Sequence, residues 1–361
     1  MNPQTLQLGK KTYSLQSLPQ IGQPSTFDER TIDFCHRWLS GQLEFEIQTS
    51  GSTGQPKKIL IERESMIASA NGTIHALNLQ PNQTSLICLD TAYIAGLMML
   101  VRSLEIGMNI IAVEPCANPF KGIDTNTKID FIALVPYQIK AILQSPQKFY
   151  LNQLGTVLIG GAPLDQSTKL ALQSFKSLFF ETYGMTETIS HVALKQLNGL
   201  GKSSFFTTLP GVSIRQDERG CLCIQTSYLE SELVTNDIVE MVDVNKFIWL
   251  GRWDNVINTG GLKVFPETIE AKVEATFAQL NITNLFFIAG LSDQRWGQAV
   301  TLLIEGELSS QEKERLRGNL KTALYKFEIP QSIVYLPLFK RTDSGKINRV
   351  NTLSLLDETQ Q

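Results

Sequence analysis

Thr49-Ser50-Gly51-Ser52-Thr53-Gly54-Gln55-Pro56-Lys57 packs two glycines, four hydroxyl side chains and a lysine into nine residues. Hydroxyls and glycine N–H groups donate hydrogen bonds, lysine adds positive charge, and glycine lets the backbone come close to a ligand. That is the chemistry of a loop that wraps a polyphosphate. It is not a Walker A loop, which needs G-x-x-x-x-G-K-[ST] between a strand and a helix. Counted from Gly51, the second glycine would fall on Pro56. The flanks also differ. Glu44-Phe45-Glu46-Ile47-Gln48 alternates like a strand and Lys58-Ile59-Leu60-Ile61-Glu62 reads as another, so the loop joins two strands. An ordinary polar hairpin loop has the same composition, and the stretch alone does not separate the two readings.

Working outward, Phe27–Leu39 before the loop reads as a helix after a short hairpin. Ser65 reads as the N-cap of a helix running to Leu77. A regular rhythm follows. Short apolar strands are expected at 84–90, 109–113, 131–135, 156–159 and 177–182, and helices at 94–106, 136–144 and 165–175. This alternation predicts a largely parallel sheet covered by helices on both faces. Ligands bind at the carboxyl ends of strands in such sheets. Gly160-Gly161-Ala162-Pro163 and Tyr183-Gly184-Met185-Thr186-Glu187 both follow strands.

From about Thr207 the pattern changes to short, glycine-punctuated strands, which predicts a small antiparallel β subdomain. Gly251-Arg252-Trp253-Asp254 reads as a hinge. Beyond it lies an α+β unit with a helix from Pro266, strands at 284–289 and 299–304, and a helix capped by Ser309 with Glu312. The fold expected is therefore α/β: a large N-terminal domain over 1–251 and a small, mobile C-terminal α+β domain over 252–361.

The 361 residues carry a formal net charge of −3, which gives no nucleic-acid footprint. The longest apolar run, Ile94 to Val101, stops at Arg102, short of a membrane span. Residues 1–20 lack the apolar core of a signal peptide. The five cysteines show no metal-ligand or CxxC spacing, and buried thiols in a cytoplasmic protein are expected. The three histidines are scattered and offer little for a zinc site.

Six motifs occur in one order: the loop at 49–57, Gly-Gly-Ala-Pro at 160–163, Tyr-Gly-Met-Thr-Glu at 183–187, Thr-Asn-Asp at 235–237, Gly-Arg-Trp-Asp-Asn-Val-Ile at 251–257, and Ser-Gly-Lys-Ile-Asn-Arg at 344–349. Together they resemble the acyl-adenylate-forming superfamily, which includes acyl-CoA synthetases, peptide-synthetase adenylation domains and luciferases. The resemblance implies a two-step reaction. A carboxylic acid attacks ATP to give acyl-AMP and pyrophosphate, and the thiol of coenzyme A then displaces AMP. A carrier-protein thiol is the alternative acceptor, and a silent nucleotide-binding regulator is a remote one.

The roles implied are specific. Thr49, Ser50, Gly51, Ser52, Thr53, Gly54 and Lys57 cover the β- and γ-phosphates. Gly160, Gly161, Ala162 and Pro163 leave room for adenine, on which Tyr183 stacks beside Gly184 and Met185. Thr186 bonds the α-phosphate, and Glu187 offers an oxygen to Mg²⁺. Asp237 and Arg252 hold the ribose, Asp254 is the hinge, and Lys346 bridges the attacking carboxylate and the α-phosphate.

The acid is harder to read. Only 48 residues precede the loop, and compact members of the superfamily resemble the o-succinylbenzoate–CoA ligases of menaquinone biosynthesis. Arg102 interrupts an apolar helix. A dicarboxylic acid would pair with it bidentately; otherwise Arg102 snorkels to solvent or pairs with Glu105. Tyr93 stands where the family often carries a gating histidine. Ser190 and His191 are candidates to line the acyl site, with a purely structural role open for His191. Lys58 and Asn258 also depart from the family pattern.

Overall fold

The computed structural model describes residues 4–48, 58–341 and 347–358. Glu44–Gln48 and Lys58–Glu62 form the antiparallel pair expected on either side of the glycine loop. The loop itself, residues 49–57, lies outside the described residues, as does Lys346.

Six parallel strands form the centre of the main sheet: Thr5–Leu8, Asn109–Ala112, Thr84–Ile87, Phe131–Leu134, Thr156–Ile159 and Leu178–Gly184, in that spatial order. They are short and almost wholly apolar because both faces are covered. One face packs on Arg63–Leu77 and Ile94–Ile106 with Met66, Ala70, Met98, Val101 and Phe131. The other packs on Pro136–Leu143 with Ile132, Ile139, Ile142 and Phe179. Beyond Leu178–Gly184 the sheet continues antiparallel through His191–Gln196 and Phe206–Thr208 into the β block Val212–Arg252. That block has its own core of Phe206, Leu222, Ile224, Val239 and Phe247.

A separate five-stranded sheet begins at Ile257. Helices Pro266–Leu280 and Ser310–Ala323 cover one face of it. Leu353 and Leu356 of the last helix, Arg349–Glu358, pack with Phe287, Leu303 and Phe339 in a second cluster. The joint between the sheets is the single turn Trp253–Asn255. Gly251 just before it is constrained: a Cβ there would meet a Glu267 carboxylate oxygen at 2.2 Å.

The helix expected to start at Ser65 starts at Arg63, with Glu62 at the cap position and no side-chain cap. Arg63 is already fixed there. Its N–H donates to Leu43 O at 2.7 Å, and its guanidinium donates to Trp38 O and stacks on the indole. Tertiary anchoring therefore starts this helix without a cap hydroxyl.

Candidate active site

The loops at 160–163 and 183–187 follow neighbouring parallel strands, so they emerge side by side at the carboxyl edge of the sheet. Their glycines are forced by close approach. A Cβ on Gly160 would stand 2.3 Å from Thr182 Oγ1, and one on Gly184 would stand 2.4 Å from both His191 Cα and Ser190 O. Gly161 has φ +85°. After Gly184 the chain makes a tight turn in which Thr188 Oγ1 accepts from Met185 N–H at 3.0 Å and donates to Ser190 O at 2.7 Å. The turn leaves Glu187 exposed, with no ion pair among the described residues.

Ile189 closes this turn at φ 65°, ψ −43°. A β-branched side chain at positive φ is strained by on the order of 1–3 kcal/mol. The strain aims Ser190 inward: Arg102 Nη2 donates to Ser190 Oγ at 2.7 Å.

One end of the site is a fully paired network. Tyr183 donates its phenol proton to Asp237 Oδ2 at 2.7 Å, and Trp249 Nε1 donates to Asp237 Oδ1 at 3.2 Å. Arg252 stands 3.9 Å from the same carboxylate and pairs with Asp254 at 3.1 Å. Asn236 Nδ2 also reaches Asp254. Phe206 and Phe247 brace the Tyr183 ring. Burial, and then the Asp237 charge, push the Tyr183 phenol far up, so it stays a proton donor. Trp249 carries no motif signal; alternation along Lys246–Arg252 was the only hint that it shares a face with Phe247.

The other end is unpaired. Arg102 lies in helix Ile94–Ile106 and is 2% exposed. It neither snorkels nor pairs with Glu105, whose carboxylate accepts from Trp38 Nε1 at 2.9 Å and faces Arg63. No carboxylate pairs with Arg102 among the described residues, and its Nε has no partner. Burial brings its pKa down to about 9. Next to Ser190, His191 is buried with Nε2 3.0 Å from Thr73 Oγ1. Burial, and secondly Arg102, push its pKa well below the ordinary histidine value, so it is neutral. Tyr93 is half-exposed and stands at the N-terminus of the Arg102 helix, roughly 13 Å along the axis at 1.5 Å per residue.

The structure thus brings Tyr183, Asp237, Arg252 and Asp254 into one network and Arg102 and Ser190 into direct contact, with Gly184 and Met185 on the chain between. His191 faces Thr73 and makes no hydrogen bond to Arg102.

Known proteins of the same kind give the family. Residues 42–220 match the model of the AMP-binding enzyme family. A 2-succinylbenzoate–CoA ligase of Lactococcus lactis is 26% identical over 322 residues, covering 84% of this chain and 69% of that protein. One of Listeria innocua is 26% identical over 340 residues, covering 88% and 71%. Among solved structures, an acyl-CoA synthetase (AMP-forming)/AMP-acid ligase II-like protein from Dyadobacter fermentans is 40% identical, with a TM-score of 0.64, over 93% of this chain and 96% of that one. The o-succinylbenzoate CoA synthetase of Bacillus subtilis, in complex with its acyl-adenylate intermediate, has a TM-score of 0.68 at 21% identity over 85% of this chain and 68% of that one, a likeness of fold. With its α/β architecture, its ordered motifs and a relative this similar along nearly its whole length, the chain belongs to the AMP-binding enzyme family of AMP-forming acid–thiol ligases.

Proposed function

We propose that this protein is a carboxylate–CoA ligase whose acid carries a second, non-reacting carboxylate, with o-succinylbenzoate, a precursor of menaquinone, as the substrate. The observation that carries the reading is Arg102. A buried guanidinium with one neutral partner costs several kcal/mol relative to a paired one. A substrate carboxylate would supply the missing charge and a bidentate fit. The relatives named as 2-succinylbenzoate–CoA ligases support the same acid, which has two carboxylates.

The adenylate would lie across the edge formed by residues 160–163 and 183–187. Tyr183 would offer its ring to adenine, while Asp237 keeps lone pairs for the ribose hydroxyls beyond those used by Tyr183 and Trp249. Thr186 would bond the α-phosphate. The hydroxyls and glycines of 49–54, with Lys57, would receive the departing pyrophosphate. Glu187, an exposed carboxylate uncommitted among the described residues, fits the single protein oxygen that phosphate-bound Mg²⁺ needs. The ion, when bound, neutralises phosphate charge. Lys346 would bridge the attacking carboxylate and the α-phosphate as negative charge builds there. Turning about Asp254 would then exchange Lys346 for the coenzyme A thiol.

Pyrophosphate release across aryl, dicarboxylic and fatty acids tests the reading. o-Succinylbenzoate is expected to give the highest kcat/KM. A fatty acid that outperforms it removes the substrate assignment and leaves the ligase class standing.

A further inference from the structure

Tyr228 lies in the turn between strands Cys221–Thr226 and Leu233–Asp243, outside every motif. It is half-buried and packs against the core that contains Leu97, Leu100 and Val101 of the Arg102 helix and Ile189 of the strained turn. Beside its phenol stand the hydroxyls of Ser69, from helix Arg63–Leu77, and of Thr226. Both residues are buried, at 2% and 3% exposure, and neither hydroxyl has a hydrogen-bond partner of good geometry. Among the described residues eight buried side-chain polar atoms lack a hydrogen bond, and one of these, Glu181 Oε2, is held in ion pairs with Lys195 and Lys169 instead. Three of them, Ser69 Oγ, Thr226 Oγ1 and Arg102 Nε, belong to residues interacting with Tyr228. Native interiors leave few such atoms, and a cluster of them calls for a ligand that completes it.

The charges around this cluster are simple. Among the described residues named here, Arg102 is the one cation. His191 is neutral, and burial raises the Tyr228 phenol, so it remains a neutral donor. A single guanidinium among neutral donors balances one carboxylate; it leaves a phosphate dianion over-charged and an uncharged chain unmatched.

We propose that Tyr228, flanked by Ser69 and Thr226, is a specificity-determining residue that faces Arg102 and Ser190 across the acyl site and donates to the substrate's second carboxylate. This rests on the acyl-site reading of Arg102 given above and extends it to residues that the motifs do not reach. The guanidinium supplies charge from helix Ile94–Ile106, and the phenol supplies direction from the β block, so the carboxylate is held between two separate elements.

The test measures kcat/KM by pyrophosphate release for o-succinylbenzoate and for 3-benzoylpropionate, which lacks the ring carboxylate, with Tyr228→Phe, Ser69→Ala and Thr226→Val in the full-length chain. Tyr228→Phe is expected to lower the ratio of the two acids' kcat/KM about tenfold or more, mainly through KM for the diacid. Ser69→Ala and Thr226→Val are expected to lower it by smaller factors. An equal loss on both acids, or no change in the ratio, overturns the role of Tyr228. If the wild type itself shows no preference for the diacid, the acyl-site reading fails and this proposal with it. If Arg102→Met removes the preference and Tyr228→Phe does not, only the present proposal fails.

Discussion

The two ends of the site are built by opposite rules. At the proposed nucleotide end Asp237 is buried with both oxygens occupied, and Arg252 and Asp254 extend the network. At the proposed acyl end Arg102 is buried with, among the described residues, one neutral hydrogen bond and an unpartnered Nε. A satisfied network is rigid before any ligand arrives, so it preorganises the group common to every turnover. An unsatisfied one stores a penalty that only the right ligand removes, which is the basis of the discrimination among acids proposed above.

The largest effect expected is at neither end. Lys346→Ala should cut adenylation by about a thousandfold, the scale of losing one electrostatic contact to a transition state, while thioester formation from supplied acyl-AMP stays nearly intact. Single-turnover assays of each half-reaction check this, and equal losses in both would remove the two-conformation role of Lys346. Next is Asp237→Ala, which strips the partner from the half-buried Tyr183 and Trp249 donors. KM for ATP should rise on the order of 10- to 100-fold and the melting temperature should fall. An unchanged melting temperature would mean that the nucleotide end is not the preorganised one.

Arg102→Met sharpens the contrast because its two effects have opposite signs. The ligand-free protein should melt a few degrees higher, since replacing a poorly compensated buried charge with a packed apolar chain is often stabilising. The thermal shift produced by o-succinylbenzoate should vanish. A lower melting temperature without acid would show that Arg102 is a structural residue.

A smaller effect is a pH dependence. The Arg102 pKa in the fold lies below its ordinary value of 12.5, at about 9. Charging it therefore opposes folding. That cost is fully present below about pH 9 and fades as pH rises through it. Diacid recognition needs the charged form, so the diacid kcat/KM should fall up to tenfold per pH unit above about 9, while that of 3-benzoylpropionate stays flat. Neutral His191 and the raised Tyr228 phenol add no titration of their own in the window between neutrality and pH 9. Parallel profiles for the two acids would assign the titration elsewhere.

The motifs of the proposed nucleotide end stand out in the sequence because they are contiguous residues. Gly160–Pro163, Tyr183–Glu187 and Thr235–Asp237 each announce a turn or a strand end by composition. The two strands flanking residues 49–57 and the helix Ile94–Ile106 followed directly from periodicity. The strand that carries Asp237, Leu233–Asp243, did not, because Asn236, Asp237 and Asp243 are poor strand formers held in place by pairing on both sides. The helix Arg349–Glu358 was masked by its polar composition, and it packs through Leu353 and Leu356. At the acyl end only Arg102 stood out, as a charge in an apolar run. Thr73 is an ordinary residue that helix Arg63–Leu77 brings beside His191, and the β block brings Tyr228 to the core that includes the Arg102 helix. That Arg102 does not pair with Glu105 turned on where Glu105 points, and that is fixed by Trp38 and Arg63, distant in sequence.

The central claim is that Arg102 is buried without a counter-charge because the acid brings one. The most direct test is the ratio of kcat/KM for o-succinylbenzoate to that for 3-benzoylpropionate, in the wild type and in Arg102→Met. A wild-type ratio of about a hundred or more that collapses toward one in Arg102→Met is the predicted result. A ratio that Arg102→Met leaves unchanged would contradict it.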